Sequence, residues 1–400
     1  MKKHKVVLAY SGGLDTSYCV KYLSEEKDLD VHAVTVDTGG FSSQEKVQLE
    51  ERAYQLGAQS FKLLEATEDY YQNCLRYLIY GNVLRYNTYP LSVSAERIFQ
   101  ATAIIKYAQQ LDATYIAHGS TGAGNDQVRF DLAFHILGDQ IQILSPIRDQ
   151  QLSREAEVAY LKKHGFGWDQ QKARYSVNAG LWGTTVGGAE TLTSHQPLPQ
   201  SAYPSPLLRQ EPQTVELQFE QGELCAIDGI KGHPVQLIQQ LNEQASAYAI
   251  GRDIHVGDTV IGIKGRVGFE AAAPLIILKA HHLLEKHVLT KWQLYWKEQL
   301  ANWYGMLLHE GQFLDPVMRN IEQFLESTQA QVSGKVVVAL HPYRFELQGI
   351  ESPHDLMSAQ FGSYGEMNKA WSGEDVKGFS KILANQSKIH HLVNAQNVEV

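Results

Sequence analysis

The sequence predicts an α/β protein: an N-terminal parallel, doubly wound sheet, then an α+β region, then a C-terminal helix. Two observations carry this. Through the first 165 residues or so, short apolar runs rich in β-branched residues alternate with helical stretches. Strands joined by crossover helices make a parallel sheet covered on both faces. The pattern then changes at His164-Gly165-Phe166-Gly167-Trp168, and beyond Val215 the strand–helix alternation is lost. The expected division is 1–167, 168–365 and a helical tail 366–400. A chain of 400 residues is too long for one ordinary core.

In chain order, Lys5–Tyr10 and Val31–Asp37 read as buried strands, with a helix from Asp15 to Lys27 between them. A second helix is expected over Gln44–Leu56, stopped by Gly57, and Ser60–Leu64 reads as the third strand. Helical patterns cover Asp69–Ile79 and Ser94–Leu111. Thr114–Ala117 and Ile141–Leu144 complete the sheet. Ser153 should cap a further helix, whose first turn carries Glu155 and Glu157 where the dipole favours acids. Gly187-Gly188 and the prolines at 197, 199, 204, 206 and 212 mark a loop-rich stretch. Thr214–Phe219 and Val256–Ile263 then read as strands, and Pro234–Ser246 and Leu275–Glu310 as helices. Lys335–Leu340 with Tyr343–Ile350 read as a hairpin, and Lys377–Val393 as a terminal helix.

The composition, 44% hydrophobic and 20% charged, is that of a folded protein. A net charge of −9 argues against a broad nucleic-acid surface. Cys19, Cys74 and Cys225 form neither a CxxC pair nor an even framework, so disulfides and a zinc site are not expected and a reducing, cytoplasmic setting is. The apolar run after the basic Met1–Lys5 is too short for a signal peptide, and none elsewhere could span a bilayer.

Ser11-Gly12-Gly13-Leu14-Asp15-Thr16-Ser17 follows the first strand and opens the first helix. Glycines let backbone approach an anion, and the free N–H groups of the helix start point at it. Three hydroxyls add donors. An acid, Asp15, fits such a loop if magnesium lies between it and phosphate. The pattern is neither a Walker loop nor GxGxxG. It resembles the pyrophosphate loop of the ATP pyrophosphatases, which cleave ATP between the α- and β-phosphates and adenylate a carbonyl-type oxygen.

A second Gly-rich loop, His118-Gly119-Ser120-Thr121-Gly122-Ala123-Gly124-Asn125-Asp126-Gln127-Val128-Arg129-Phe130, leaves the fourth strand. It offers a hydroxyl, an amide, an acid and a guanidinium, which suit the carboxylate and ammonium of an amino acid. It closely resembles the HGxTGxGNDQVRFE signature of the argininosuccinate synthase family. Tyr89-Pro90-Leu91-Ser92-Val93-Ser94-Ala95-Glu96-Arg97, Ser153–Glu157, Tyr175–Gly183, Ile250-Gly251-Arg252 and Ile261–Arg266 resemble further family segments, so the likeness spans about residues 5–370.

The resemblance implies a nucleotide-hydrolase-like first domain and a synthetase and oligomerisation domain in a homotetramer. It implies ATP with magnesium as co-substrate, no tightly bound cofactor and no protein-held metal. Citrulline and aspartate would be joined through a citrullyl-adenylate. Ala9, Tyr10, Ser11, Gly12, Gly13, Leu14, Asp15, Thr16 and Ser17, with Val36 and Gly119, would hold ATP. Tyr89, Ser94, Asn125, Arg129, Ser176 and Thr185 would hold citrulline. Thr121, Asn125 and Asp126 would hold aspartate. Arg97 would meet a carboxylate or phosphate, and Asp126 would orient the ammonium, with either Asp126 or a substrate phosphate taking its proton. The chain departs from the family at Gly257, where a glutamate faces the citrulline amino group, and at Phe269, where a tyrosine stands. Either Asp258 or Glu270 compensates, or the substrate is an N-acylated citrulline. A tRNA-modifying adenylase on the same loop and a non-catalytic nucleotide sensor are the competing readings.

Overall fold

The computed structural model describes residues 3–168, 174–357, 364–366 and 370–395. Met1–Pro353 forms one compact unit and His354–Val400 another.

The first sheet is built from β1 (Lys5–Ala9), α1 (Leu14–Glu25), β2 (Asp30–Asp37), α2 (Ser43–Gln55) and β3 (Ser60–Glu65). The chain continues through α3 (Thr67–Tyr70), a π-helical turn Tyr71–Leu75, α4 (Arg76–Tyr80) and α5 (Ser92–Gln110). β4 (Tyr115–Ala117), α6 (Asp126–Leu137), β5 (Gln142–Leu144), α7 (Pro146–Asp149) and α8 (Arg154–Lys163) follow. Strand order is β3-β2-β1-β4-β5, all parallel. The unbroken apolar run of β1 has a simple cause. Val6 and Leu8 pack into a layer with Leu23, Ala53 and Leu161, while Val7 packs into the opposite layer with Ile104, Ile105 and Phe134. A strand buried on both faces needs no polar alternation. Because β2 and β3 lie to one side of β1 and β4 to the other, the carboxyl ends of β1 and β4 flank a topological switch point, where such sheets bind ligands.

β6 (Tyr175–Gly180) and β7 (Gly183–Gly188) form a hairpin inside the stretch expected to be loop. Its glycines and hydroxyls hide the strand signal, and pairing with distant chain supplies the stability. β8 (Gln213–Glu220), β9 (Glu223–Ile227), β10 (Ile230–Lys231) and α9 (Pro234–Ser246) come next, then β11 (Arg252–Asp258) and β12 (Lys264–Glu270). The strand expected over Val256–Ile263 is instead the end of β11 and a turn, with Thr259 N–H donating to the Ile263 carbonyl and Gly262 at φ +83°. β11, β12, β7 and β6 make one antiparallel sheet.

α10 (Ala272–Val288) and α11 (Lys291–His309) replace the single helix expected over Leu275–Glu310. The break is local chemistry: Thr290 and Gln293 form a capping box that starts a new helix. α12 (Pro316–Ser327), β13 (Gly334–His341) and β14 (Arg344–Glu351) complete the unit, in a sheet of order β10-β9-β8-β13-β14. In the second unit, α13 (Gly373–Leu383) and α14 (Asn385–Asn394) occupy the range expected to hold one helix, and no described residue of either is buried. Among the described residues no helix is long and apolar enough to cross a membrane.

Candidate active site

A cavity of about 1140 Å³ opens at the switch point, bordered by the loops after β1, β2 and β4, the start of α5, and the sheet holding β6, β7, β11 and β12. At its floor the first Gly loop turns with Gly12 at φ +72°. Thr16 ties the loop together: its hydroxyl donates to the Gly13 carbonyl (3.3 Å) and lies 3.2 Å from Ser11 Oγ. No side chain caps α1 at Gly13. The first-turn N–H groups are thus left for an anion, which the helix dipole favours. A Cβ at Gly119 would stand 3.1 Å from Thr16 Cγ2 and 3.2 Å from Thr16 N, so a side chain there would press the second loop away from the first. The expected nucleotide residues Ala9, Tyr10, Ser11, Gly13, Leu14, Asp15, Thr16, Val36 and Gly119 all border the cavity. Gly12 and Ser17 do not. Gly12 faces Leu49, and Ser17 is fully buried.

Behind Asp15, on α8, lies the buried Glu157. Burial, and then the neighbouring Asp15, push its carboxyl up to about 8. His118 fixes the second loop. Ser120 N–H donates to its Nδ1 (3.2 Å), so Nε2 carries the hydrogen and donates to Asp131 (2.9 Å).

The centre of the cavity is an acid–guanidinium chain. Arg97 Nε donates to Asp126 Oδ2 and Arg129 Nη1 to Asp126 Oδ1, both at 2.8 Å. Burial alone would raise the Asp126 carboxyl, but Arg97 and then Arg129 outweigh it and hold the group at about 2. Asp126 is thus held ionised, with each of its oxygens bound by a guanidinium. Arg97 also donates to Glu96 Oε1 (2.9 Å), Gln100 (2.9 Å) and Asn178 Oδ1 (3.3 Å). Its carboxylate partners are thus Glu96 and Asp126. Glu96 is buried and accepts from Thr38 Oγ1 at 2.7 Å. Burial, against the pull of Arg97 and Thr38, raises it to about 7. Sequence reading missed Glu96 and Thr38. The only signal was the adjacency of an acid to Arg97 within the quoted segment.

The residues expected at citrulline, Tyr89, Ser94, Asn125, Arg129, Ser176 and Thr185, also border the cavity, as do Thr121 and Asp126. Asn125 Oδ1 accepts from Val260 N–H (2.8 Å), tying the second loop to the β11–β12 turn. Arg129 donates through Nε and Nη2 to the His309 carbonyl (3.0 and 2.9 Å). Tyr89 stacks on His255 (centroids 5.0 Å apart), and Phe269 packs against Tyr89 (5.4 Å). His255 and His309, both bordering the cavity, were not anticipated. They come from β11 and α11, and nothing local marks them. Glu270 is excluded as a compensating acid: it pairs with Arg252 (2.8 Å) and does not border the cavity. Asp258 does border it, bound to Lys264 Nζ at 2.6 Å.

A parallel sheet with an uncapped, glycine-lined helix start, facing fixed charges suited to amino acids, defines a nucleotide-dependent synthetase. The chain belongs to the argininosuccinate synthase family. Residues 5–167 match the arginosuccinate synthase N-terminal HUP domain and residues 175–390 the arginosuccinate synthase C-terminal domain. Among curated relatives, argininosuccinate synthase of Xanthomonas campestris is 38% identical, covering 98% of this chain and 100% of its own length. That of Dictyoglomus thermophilum is 34% identical, with 99% and 100% covered. That of Methanocaldococcus jannaschii is 34% identical, with 96% and 98% covered. These matches do not favour a tRNA-modifying adenylase.

Proposed function

We propose that this chain joins citrulline to aspartate at the expense of ATP, forming argininosuccinate, AMP and pyrophosphate in arginine biosynthesis. The single observation that carries the mechanism is that the Arg97–Asp126–Arg129 chain and an uncapped phosphate loop line one cavity. A ureido carbon is a poor electrophile because its nitrogens donate into it. The ureido oxygen attacks the α-phosphorus and pyrophosphate leaves, so the carbon now carries AMP. The aspartate amine attacks that carbon, AMP departs and one proton is released. Asp126, held at about 2, orients the ammonium without taking its proton. The departing AMP, a phosphate monoester with a second pKa of about 6, is the better acceptor. Most of the rate enhancement is then positioning and fixed charge around the transferring phosphoryl group.

In this reading ATP sits on Ala9, Tyr10, Ser11, Gly13, Leu14, Asp15, Thr16, Val36 and Gly119, with Gly12 and Ser17 shaping the loop behind them. Aspartate sits on Thr121, Asn125 and Asp126, and citrulline on Tyr89, Ser94, Asn125, Arg129, Ser176 and Thr185. Magnesium fits the donor set. Asp15 offers one carboxylate beside Ser11 and Thr16 hydroxyls at the cavity edge, and magnesium takes one or two carboxylates plus phosphate oxygens. Bound there, it would neutralise phosphate charge. The nucleotide-binding domain is assigned to 1–167 and the synthetase domain to 168–365. The resemblance supports homotetramer assembly. The exposed Trp292, Tyr295, Trp296 and Trp303 of α11 offer apolar surface for it. The free Cys19, Cys74 and Cys225 support a reducing, cytoplasmic setting.

The test is product stoichiometry with ATP, magnesium, aspartate and a citrulline, free or N-acylated. Equimolar AMP, pyrophosphate and C–N-joined product are expected. Formation of ADP, or ATP binding without pyrophosphate release, would overturn the reading.

A further inference from the structure

The citrulline end of the cavity is short of available negative charge. Among the described residues, five carboxylates border the cavity: Asp15, Glu45, Glu96, Asp126 and Asp258. Asp15 lies in the phosphate loop, and Glu45 closes the capping box of α2 with Ser42. Glu96 is bound by Thr38 and Arg97, and Asp126, shared by two guanidiniums, is the acid assigned above to the aspartate ammonium. Asp258 is bound by Lys264 (2.6 Å) and by the Tyr86 hydroxyl (3.3 Å). Every acid near Tyr89 already has a cationic partner.

What faces Tyr89 is neutral or positive. His255 stacks between Tyr89 and Tyr86, with centroids 5.0 and 5.9 Å away. It also closes over Gly257, where an added Cβ would meet His255 Nε2 at 2.6 Å. Gly257 pairs across the strands with Gly265, so this part of the wall carries no side chain of its own. His309 completes the wall, with its Nδ1 buried and without a hydrogen-bond partner. Burial, then Arg85, pushes the His255 imidazole below its ordinary value. Burial, then Arg129 and Arg85, holds His309 down at about 3.

Covalent geometry sets where the substrate's α-nitrogen must go. Arg129 is the one cation among the residues assigned to citrulline, so the α-carboxylate belongs there. The α-nitrogen shares its carbon, and bond lengths of about 1.5 Å keep it within about 2.5 Å of the carboxyl carbon. It therefore lies beside His309, His255 and Tyr89. Glu310, whose Oε1 lies 3.8 Å from His309 Nδ1, does not border the cavity. An ammonium at that position would be desolvated beside two imidazoles, with no unpaired carboxylate among the described residues that border this wall, which disfavours the charged form. A secondary amide has one donor and one acceptor, and a neutral imidazole matches both. The rings of Tyr86, Tyr89 and Phe269 offer apolar surface to an acyl chain.

We propose that the ureido substrate of this chain carries an uncharged α-nitrogen, as an N-acyl amide, in place of a free ammonium. The inference rests on the ligase reading above and leaves its bond changes untouched, since the acyl group takes no part in adenylation or in amine attack.

The experiment compares kcat/KM for pyrophosphate release, with ATP, magnesium and aspartate, across citrulline, N-acetylcitrulline and N-succinylcitrulline. An acylated form at least tenfold better than free citrulline is expected. Free citrulline equal or better would overturn this inference alone and make Asp258, released from its exposed Lys264, the ammonium's partner. Release with none of the three would overturn it together with the ligase reading. As a second arm, G257E places a carboxylate beside His255 and should move the ratio at least tenfold towards free citrulline. An unchanged ratio in a folded variant, checked by its melting curve, would overturn the placement of the α-nitrogen at this wall. The wild-type ratio decides the matter if the variant does not fold.

Discussion

On the nucleotide side of the cavity the chain works with backbone. Ser11–Ser17 and Gly119 come from two loops at neighbouring strand ends, and their N–H groups and close contacts follow from glycine at fixed positions. On the acceptor side it works with side chains: Tyr89 precedes α5, Thr185 is on β7, His255 on β11, and His309 ends α11. Arg97 joins the second Gly loop to the acceptor sheet, since it touches Glu96 of α5, Asp126 of α6 and Asn178 of β6 at once. A backbone site tolerates little variation because its donors need one chain path. A side-chain site can change its ligand by exchanging single residues while the fold stays the same. Phosphate chemistry and acceptor choice can therefore diverge independently within one cavity.

Breaking the joint should have the largest effect. R97M leaves Asp126 with one guanidinium and Glu96 with Thr38 as its charged-form support. Removing one partner of a buried pair costs about 3–5 kcal/mol. Denaturant unfolding should show that loss, and pyrophosphate release should fall at every substrate concentration. Retained stability would mean that the second loop and the acceptor sheet are not coupled through Arg97.

A smaller and one-sided effect is expected from G12A. The position sits at φ +72°, and an added Cβ meets Leu49 Cδ2. An L-residue in the left-handed region costs about 1–2 kcal/mol. Pyrophosphate release should fall about tenfold or more, equivalent to about 1.4 kcal/mol or more of barrier. The ratio between acceptor substrates should stay unchanged. A shift in that ratio would show that the loop also shapes the acceptor wall.

The smallest effect is a pH slope from Glu157. Its folded carboxyl titrates at about 8, above the ordinary 4.5. Across that window the folded chain holds a proton that the unfolded chain has released, so this group's contribution to stability falls as pH rises. E157Q should melt with the native protein near pH 5 and above it near pH 9. Parallel Tm curves would remove Glu157 from the support of Asp15.

The first sheet and both Gly loops were readable because their causes are local. A run of Val6, Val7 and Leu8 needs two apolar layers, and a Gly-Gly turn at a strand's end needs an anion or a cap. Pairings between distant segments were not readable. β6 and β7 look like loop because Gly180, Gly183, Gly187 and Gly188 carry no strand propensity. They are held by registers such as Thr185 with Phe269. The helix after the second loop was missed because Gln127, Arg129 and Asp131 interrupt any simple apolar stripe; two of them, Gln127 and Arg129, are buried. Sequence alone determined the nucleotide loop, the parallel topology and the identity of the acid and guanidinium in the second loop, since these follow from residue type and short spacing. Only the tertiary structure decided the charge state of that acid and the make-up of the acceptor wall. A carboxylate's pKa and a subsite's polarity depend on which distant side chains burial brings beside them.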